Sequence, residues 1–211
     1  MHSYRLYLVT DDQQDLETQV NVIKEAILGG VTMVQVREKG NDIRTFIKRA
    51  AAIKAILKDS DVPLIINDRV DVALAINADG VHLGQTDMPA KIARELLGPD
   101  KILGLSIENE QQLIEANDLP IDYIGLSAIF STPTKTNIKK QWGIEGLKQA
   151  LAASQFPVVA IGGINKDNLD IVVKTGVDGI ALVSAICHSA DPRQSSKVLL
   201  ECIEKNQLDI T

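Results

Sequence analysis

Asn67 and Asp68 follow the apolar run Pro63-Leu64-Ile65-Ile66, an amide and a carboxylate side by side where a buried strand would stop. A parallel strand covered on both faces reads as a continuous hydrophobic run, and α/β proteins hold their ligands at the carboxyl ends of such strands. The same kind of ending occurs twice more. Gln35-Val36-Arg37-Glu38-Lys39 follows the apolar stretch Val31 to Val34, and Gly84-Gln85-Thr86-Asp87 follows Val81-His82-Leu83. Asp68 and Asp87 thus close the third and fourth strand-like runs, where their oxygens can converge on one hard cation that keeps its waters and bridges to phosphate; Mg2+ is the natural candidate. Taken singly, Asp68 reads as a cap for a helix over Arg69 to Ile76, and Asp87 as the opening of a turn before Pro89. Their place beside Asn67 and a basic strand end favours the metal.

The basic strand end has its own geometry. Gln35, Arg37 and Lys39 alternate along an extended segment, so a period of two sends them to one side while Val36 and Glu38 face away. Arginine offers a planar fork to phosphate oxygens, lysine a point charge, and glutamine an uncharged donor. The competing assignment is a solvated strand end in which Arg37 pairs with Glu38 or another acid. Further on, Ser131-Thr132-Pro133-Thr134-Lys135-Thr136 is a hydroxyl-rich loop with one cation, suited either to phosphate binding under a mobile lid or to plain surface exposure. Gly162-Gly163 and Val183-Ser184 end the seventh and eighth runs, where barrels often seat a phosphate against backbone amides and a short helix. The histidines, His2, His82 and His188, form no metal triad, and His82 is as readily a hydrogen-bonded core residue as a catalytic one. No Gly-x-Ser-x-Gly elbow or Walker loop is present, which argues against serine acyl transfer and P-loop nucleotide hydrolysis.

These side chains need a scaffold, and strand-like runs alternating with helical patterns provide it. The runs are 5–10, 33–37, 63–67, 80–83, 101–106, 123–129, 157–162 and 179–184. Between them, Leu16, Val20, Ile23 and Ile27 recur at helical spacing, as do Ile43, Phe46, Ile47, Ala50 and Ile53. Eight such units in 211 residues, without Gly-x-Gly-x-x-Gly after the first run, predict a single-domain (β/α)8 TIM barrel over 1–211 rather than a doubly wound open sheet. Ala78-Asp79-Gly80-Val81 and Val177-Asp178-Gly179-Ile180 resemble each other and hint at internal duplication.

A net charge of -6 argues against a nucleic-acid surface, and no segment is long and uncharged enough for a membrane span. The expected partners are small phosphorylated molecules, gathered by Arg37, Lys39, Lys135 and the Lys139-Lys140 pair. The only cysteines, Cys187 and Cys202, have no metal-binding or disulfide-framework spacing, which with the absence of a targeting core predicts a cytoplasmic protein.

Taken jointly, these motifs resemble the thiamine phosphate synthase family, over nearly the whole chain from Tyr7-Leu8-Val9-Thr10-Asp11 through Val183-Ser184-Ala185-Ile186. The resemblance implies a (β/α)8 transferase that joins a hydroxymethylpyrimidine diphosphate to a thiazole phosphate, or its carboxylated form, giving thiamine phosphate and diphosphate. It implies that Gln35, Val36, Arg37, Glu38, Lys39, Asn67, Ser106 and Lys135 contact the pyrimidine diphosphate, with Arg37, Ser106 and Lys135 acting at the reacting bond. It further implies that Asp68 and Asp87 hold Mg2+, and that Thr132, Pro133, Thr134, Gly163, Val183 and Ser184 hold the thiazole phosphate. The implied mechanism is dissociative, with a carbocation on the pyrimidine methylene. The chain departs from the family where Gly-Pro usually precedes Ile-Phe-Pro-Thr: it has Ser127-Ala128 before Ile129-Phe130-Ser131-Thr132. Ser131 in place of proline restores a backbone N–H and frees φ, which raises the entropic cost of closing the loop. Two other readings use the same barrel: a thiazole tautomerase, whose pattern lacks the acids found at Asp68 and Asp87, and a non-catalytic sensor of a phosphorylated metabolite, which would have lost the polar set.

Overall fold

The computed structural model describes residues 4–40, 42–132 and 141–208. Strands β1 (Leu6–Val9), β2 (Met33–Val36), β3 (Leu64–Asn67), β4 (Gly80–Leu83), β5 (Ile102–Ile107), β6 (Tyr123–Ser127), β7 (Val158–Ile161) and β8 (Gly179–Leu182) pair in sequence order. All pairings are parallel, and β8 returns to β1 to close the barrel, with Tyr7 opposite Ala181. Helices α1 (Leu16–Leu28), α2 (Ile43–Leu57), α3 (Val70–Ala75), α4 (Ala90–Leu97), α5 (Glu110–Ala116), α6 (Gly143–Ala153) and α7 (Leu169–Val173) fill the crossovers, and α8 (Ser184–Cys187) and α9 (Pro192–Leu208) follow β8. The closed barrel, not the open sheet, is what the chain forms. Strand limits fall within about two residues of those expected from the hydrophobic runs, the usual spread at element ends. No helix among the described residues is long and apolar enough to cross a membrane.

The helices form where periodicity and caps agree. Asp15 accepts the N–H of Thr18 at 2.8 Å to start α1, and Asp42 accepts those of Arg44 and Thr45 at 2.9 and 3.2 Å to start α2. The buried stripe of α1 is Gln19, Val22, Ile23 and Ala26, rotated from the expected Leu16, Val20, Ile23 and Ile27. The cause is polar: the Gln19 amide reaches inward and donates to the Asp11 carbonyl at 2.9 Å and to Glu38 at 3.2 Å, so the helix turns Gln19 toward the sheet. On α2, Phe46, Ala50 and Ile53 are buried as expected, with Leu57 one turn further, while Ile43 in the first turn is 41% exposed.

A repeated device pins the floor of the barrel. The residue before β2, Thr32, accepts the Leu6 N–H at 3.0 Å. Asp79 before β4 accepts that of Leu64 at 2.8 Å, Asp122 before β6 that of Leu103 at 2.7 Å, and Asp178 before β8 that of Val158 at 2.8 Å. Each even-numbered strand thus carries a side-chain acceptor for a donor at the start of its odd-numbered neighbour. The two similar Asp-Gly motifs of the sequence are two instances of this pin, and they share a backbone task whether or not they share a history.

Inside the barrel, large and small residues alternate. Tyr7, Met33, Ile65, Ile102, Tyr123 and Val159 form the inner cluster, closed below by Tyr4, whose ring centroid lies 4.9 Å from that of Tyr123. Room for Tyr123 and His82 comes from Gly104 on β5. A Cβ there would lie 2.2 Å from Cζ of Tyr123 and 2.5 Å from Nδ1 of His82. Gly104→Ala is therefore expected to cost about 3 kcal/mol by overpacking a site with little freedom to relax. Urea denaturation measures it, and an unchanged midpoint would refute the packing argument.

Candidate active site

A cavity of about 590 Å3 opens at the carboxyl ends of the strands. Its charged rim comes from the ends of β2, β3 and β4, with Glu108 just past β5 also on the lining. Beyond β2 the chain stays extended, fixed by the Thr10 hydroxyl accepting the Arg37 N–H and Asp12 accepting the Lys39 N–H, both at 3.0 Å. Arg37 faces Asp12 across 3.5 Å, and the Lys39 ammonium is ion-paired with the Asp68 carboxylate. Gln35, Arg37 and Lys39 all line the cavity, as the period-two pattern predicts. Val36 and Glu38, which the family resemblance grouped with the pyrimidine diphosphate, do not line it. Val36 is packed in the outer hydrophobic core, and the fully buried Glu38 carboxylate lies 3.2 Å from the Arg49 guanidinium of α2. Strand alternation requires this, because residues flanking an inward-facing one must point outward.

Asp68 takes a left-handed backbone conformation, φ 64°, uncommon outside glycine but tolerated by aspartate and asparagine. Its N–H donates to the His82 carbonyl at 2.8 Å, extending the β3–β4 ladder by one residue and turning the carboxylate toward Lys39. It does not cap α3, whose first-turn flank Arg69 supplies no side-chain bond. Asp87 does serve its turn, accepting the Gly84 N–H at 2.7 Å, and it also meets Asp68. Partial burial and then the neighbouring Asp68 carboxyl raise its pKa above the ordinary aspartate value. Two acids forced together are a site prepared for positive charge. Among the described residues no group of three or more His, Cys, Asp or Glu forms a metal cluster. A pair of oxygen donors suits a hard ion whose other ligands are water and phosphate.

The interior wall is neutral and polar. Gln35 donates to the Tyr7 hydroxyl at 2.8 Å, the hydroxyls of Tyr7 and Tyr123 are 3.0 Å apart, and His82 joins Tyr123 through Nδ1 at 2.8 Å and Ser106 through Nε2 at 2.9 Å. Asn67 lies on the same wall. The far side belongs to β6, β7 and β8. Past the end of β6, the N–H groups of Ile129 and Phe130 donate to the carbonyls of Ile161 and Gly162, each at 3.0 Å, so the root of the following loop is an extension of the sheet. Gly163 there adopts φ 69°, and a Cβ on it would come within 2.5 Å of the Ser131 carbonyl oxygen. Thr132, Gly163, Val183 and Ser184 border the cavity together, Ser184 opening the short α8 instead of ending β8. Pro133, Thr134 and Lys135 lie outside the described residues. Gln85, within the polar ending of the fourth run, lines the cavity and donates its amide to the Ser106 carbonyl at 2.6 Å, whereas Tyr7 and Tyr123 are lining residues that the sequence reading did not single out. The signal for Tyr123 was present, since it shares an inward face with Gly125 and Ser127.

A closed barrel whose mouth joins an acid pair, cations and tight glycine turns is the architecture of an enzyme acting on small phosphorylated molecules. Residues 6–186 match the family described as thiamine monophosphate synthase. The chain is 71% identical over 200 residues to the thiamine-phosphate synthase of Vibrio campbellii, covering 95% of this chain and 98% of that one. It is 66% identical over 204 residues to the thiamine-phosphate synthase of Vibrio parahaemolyticus, covering 97% and 100%. Its fold superposes on the solved thiamine phosphate pyrophosphorylase from Pyrococcus furiosus with a TM-score of 0.88 and 38% identity, covering 97% of this chain and 98% of that one. The chain belongs to the thiamine monophosphate synthase family.

The outward position of Glu38 has a consequence. Arg49→Met keeps the packing of the stem but withdraws a guanidinium from a buried carboxylate, and is expected to destabilise the fold by about 3 kcal/mol. Affinity for diphosphate should change little, measured by calorimetry beside thermal denaturation. A large affinity loss at unchanged stability would place Glu38 in the binding site after all.

Proposed function

We propose that this chain is a thiamine phosphate synthase, joining an aminopyrimidine carrying a diphosphomethyl group to a thiazole bearing a phosphoethyl arm. The observation that carries the reading is the meeting of Asp68, Asp87, Arg37 and Lys39 around one cavity whose deeper wall, at Gln35 and Ser106, is uncharged. Family membership makes the substrates specific. The C–O bond to diphosphate breaks with its electron pair leaving on the diphosphate oxygen. The thiazole nitrogen lone pair then forms the new C–N bond to the methylene, so no protein nucleophile is required.

Arg37 and Lys39 neutralise the charge that grows on the leaving group, preorganised at the strand ends where no reorganisation is needed as the bond breaks. The acid pair fits Mg2+, which when bound adds Lewis-acid stabilisation of the same oxygens. Lys39 would exchange its Asp68 partner for phosphate as substrate enters. Asn67 and Ser106 hold the pyrimidine, and the cavity walls limit access of water to the developing cation. Thr132, Gly163, Val183 and Ser184 seat the thiazole phosphate; by the family resemblance Pro133 and Thr134 also serve that phosphate and Lys135 the pyrimidine diphosphate, all three lying outside the described residues. A cytoplasmic setting suits the two free cysteines, neither of them engaged in a disulfide.

Mixing both substrates with Mg2+ and following diphosphate tests the reaction, because a tautomerase or a sensor releases none. Asp68→Asn isolates the metal: asparagine tolerates the left-handed backbone, so the melting temperature should hold while turnover falls roughly a hundredfold or more. Retained Mg2+-dependent turnover would reject the assignment. The raised pKa of Asp87 adds a pH dependence. As pH falls toward that value, protons compete with the ion, so half-saturating Mg2+ should rise at acid pH; a flat dependence would mean that Asp87 is not a ligand.

A further inference from the structure

We propose that Tyr7, Tyr123 and His82 are positioning residues: they form a one-way hydrogen-bond chain across the barrel that holds the Ser106 hydroxyl as a donor into the cavity. The chain begins at Gln35 on β2, passes through β1, β6 and β4, and ends at Ser106 on β5, with every link between 2.8 and 3.0 Å. Tyr7 and Tyr123 are almost completely buried, at 1% and 0% exposure, so their protons must be used within the chain.

Counting protons fixes the direction. The Gln35 amide nitrogen can only donate, so the Tyr7 oxygen accepts and the Tyr7 proton goes on to Tyr123. Tyr123 accepts there and gives its own proton to Nδ1 of His82. With Nδ1 an acceptor, the single ring proton sits on Nε2 and donates to the Ser106 oxygen. One Ser106 lone pair is thereby occupied, and its own hydrogen is directed away from the imidazole, to the cavity that Ser106 lines. Reversing only the middle links would leave the buried Tyr7 proton without an acceptor. Burial raises the pKa of both tyrosines, so each hydroxyl keeps the proton that the count requires.

The outcome is a polarity written into the cavity wall, with a donor at Ser106 and the Gln35 amide oxygen as acceptor. A ring nitrogen and an exocyclic amino group on an aminopyrimidine complement that pair. The inference rests on the proposed function only for the identity of the molecule that meets Ser106.

Nitrogen NMR of the intact, histidine-labelled chain, with His82 assigned by comparison with His82→Gln, reads the tautomer without substrate. The expected result is a proton on Nε2 alone. A proton on Nδ1, which a turned Gln35 amide and a reversed chain would require, overturns the proposal. In turnover, Tyr123→Phe should lower kcat roughly ten- to hundredfold with KM for the thiazole phosphate unchanged. The double variant Tyr123→Phe/Ser106→Ala should be no slower than Ser106→Ala, because the two act through one hydroxyl. An unchanged kcat, or losses that multiply, refutes the positioning role. If Tyr123→Phe fails to fold, the wild-type tautomer decides alone. A wild type with the Nε2 tautomer but no diphosphate release would sink the reaction and leave the chain standing.

Discussion

Closing eight parallel strands on themselves forces every second residue into one narrow shaft, and what fits there governs the rest of the molecule. The shaft accepts Tyr123 and His82 only because Gly104 faces them, and it accepts the hydroxyls of Tyr7 and Tyr123 only because Gln35 and His82 provide partners. A buried hydroxyl without a partner costs on the order of 1–3 kcal/mol, so polarity in the interior has to be continuous once it begins. It runs from one strand to the next until it reaches the cavity at Ser106. The interior polar groups are therefore one connected object, and its end is part of the site.

The mouth follows a different rule. Its charges lie just beyond the regular strands, on residues whose backbone is held by neighbouring loops: Asp12 and Thr10 fix the Arg37–Lys39 segment, and Asp68 turns through a left-handed conformation after its last ladder bond. A left-handed non-glycine residue persists only where its surroundings determine it. Here the His82 carbonyl and the Lys39 ammonium supply those surroundings. Partial burial first, and the neighbouring Asp68 carboxyl second, raise the pKa of Asp87, so its charge is only partly offset where it stands. Such an arrangement is poor for stability by itself and suited to a ligand that brings cations.

Much of this was legible in the residues. Apolar runs ending in polar groups gave the strands, and period-two alternation placed Gln35, Arg37 and Lys39 inward. The same alternation placed Glu38 outward, against what the family resemblance grouped together, and the local rule held because backbone geometry fixes side-chain direction. The α1 stripe differs because a hydrophobic period cannot anticipate that a buried glutamine will be satisfied by the Asp11 carbonyl in the connection before the helix and by Glu38 beyond β2. Tyr7 and Tyr123 escaped notice for a related reason. Alternation with Gly125 and Ser127 marks Tyr123 as inward-facing, but only the juxtaposition of the two hydroxyls across 116 positions makes them a relay.

The two rules together separate charge by depth. Cationic side chains and the acid pair stand at the strand ends, whereas Gln35, Tyr7, Tyr123, His82 and Ser106 form the wall below without adding a fixed charge in the counted protonation state. For a bond that breaks into an anion and a carbocation, this division matters. Arginine or lysine beside the forming cation would oppose it, and a carboxylate there could trap it. Oriented neutral dipoles can hold an electron-rich ring in place while doing neither, and the departing anion is drawn toward the cations above. The direction of the interior chain and the charge of the mouth therefore act on opposite ends of the same bond. The barrel keeps them apart by assigning one to the shaft and the other to its rim.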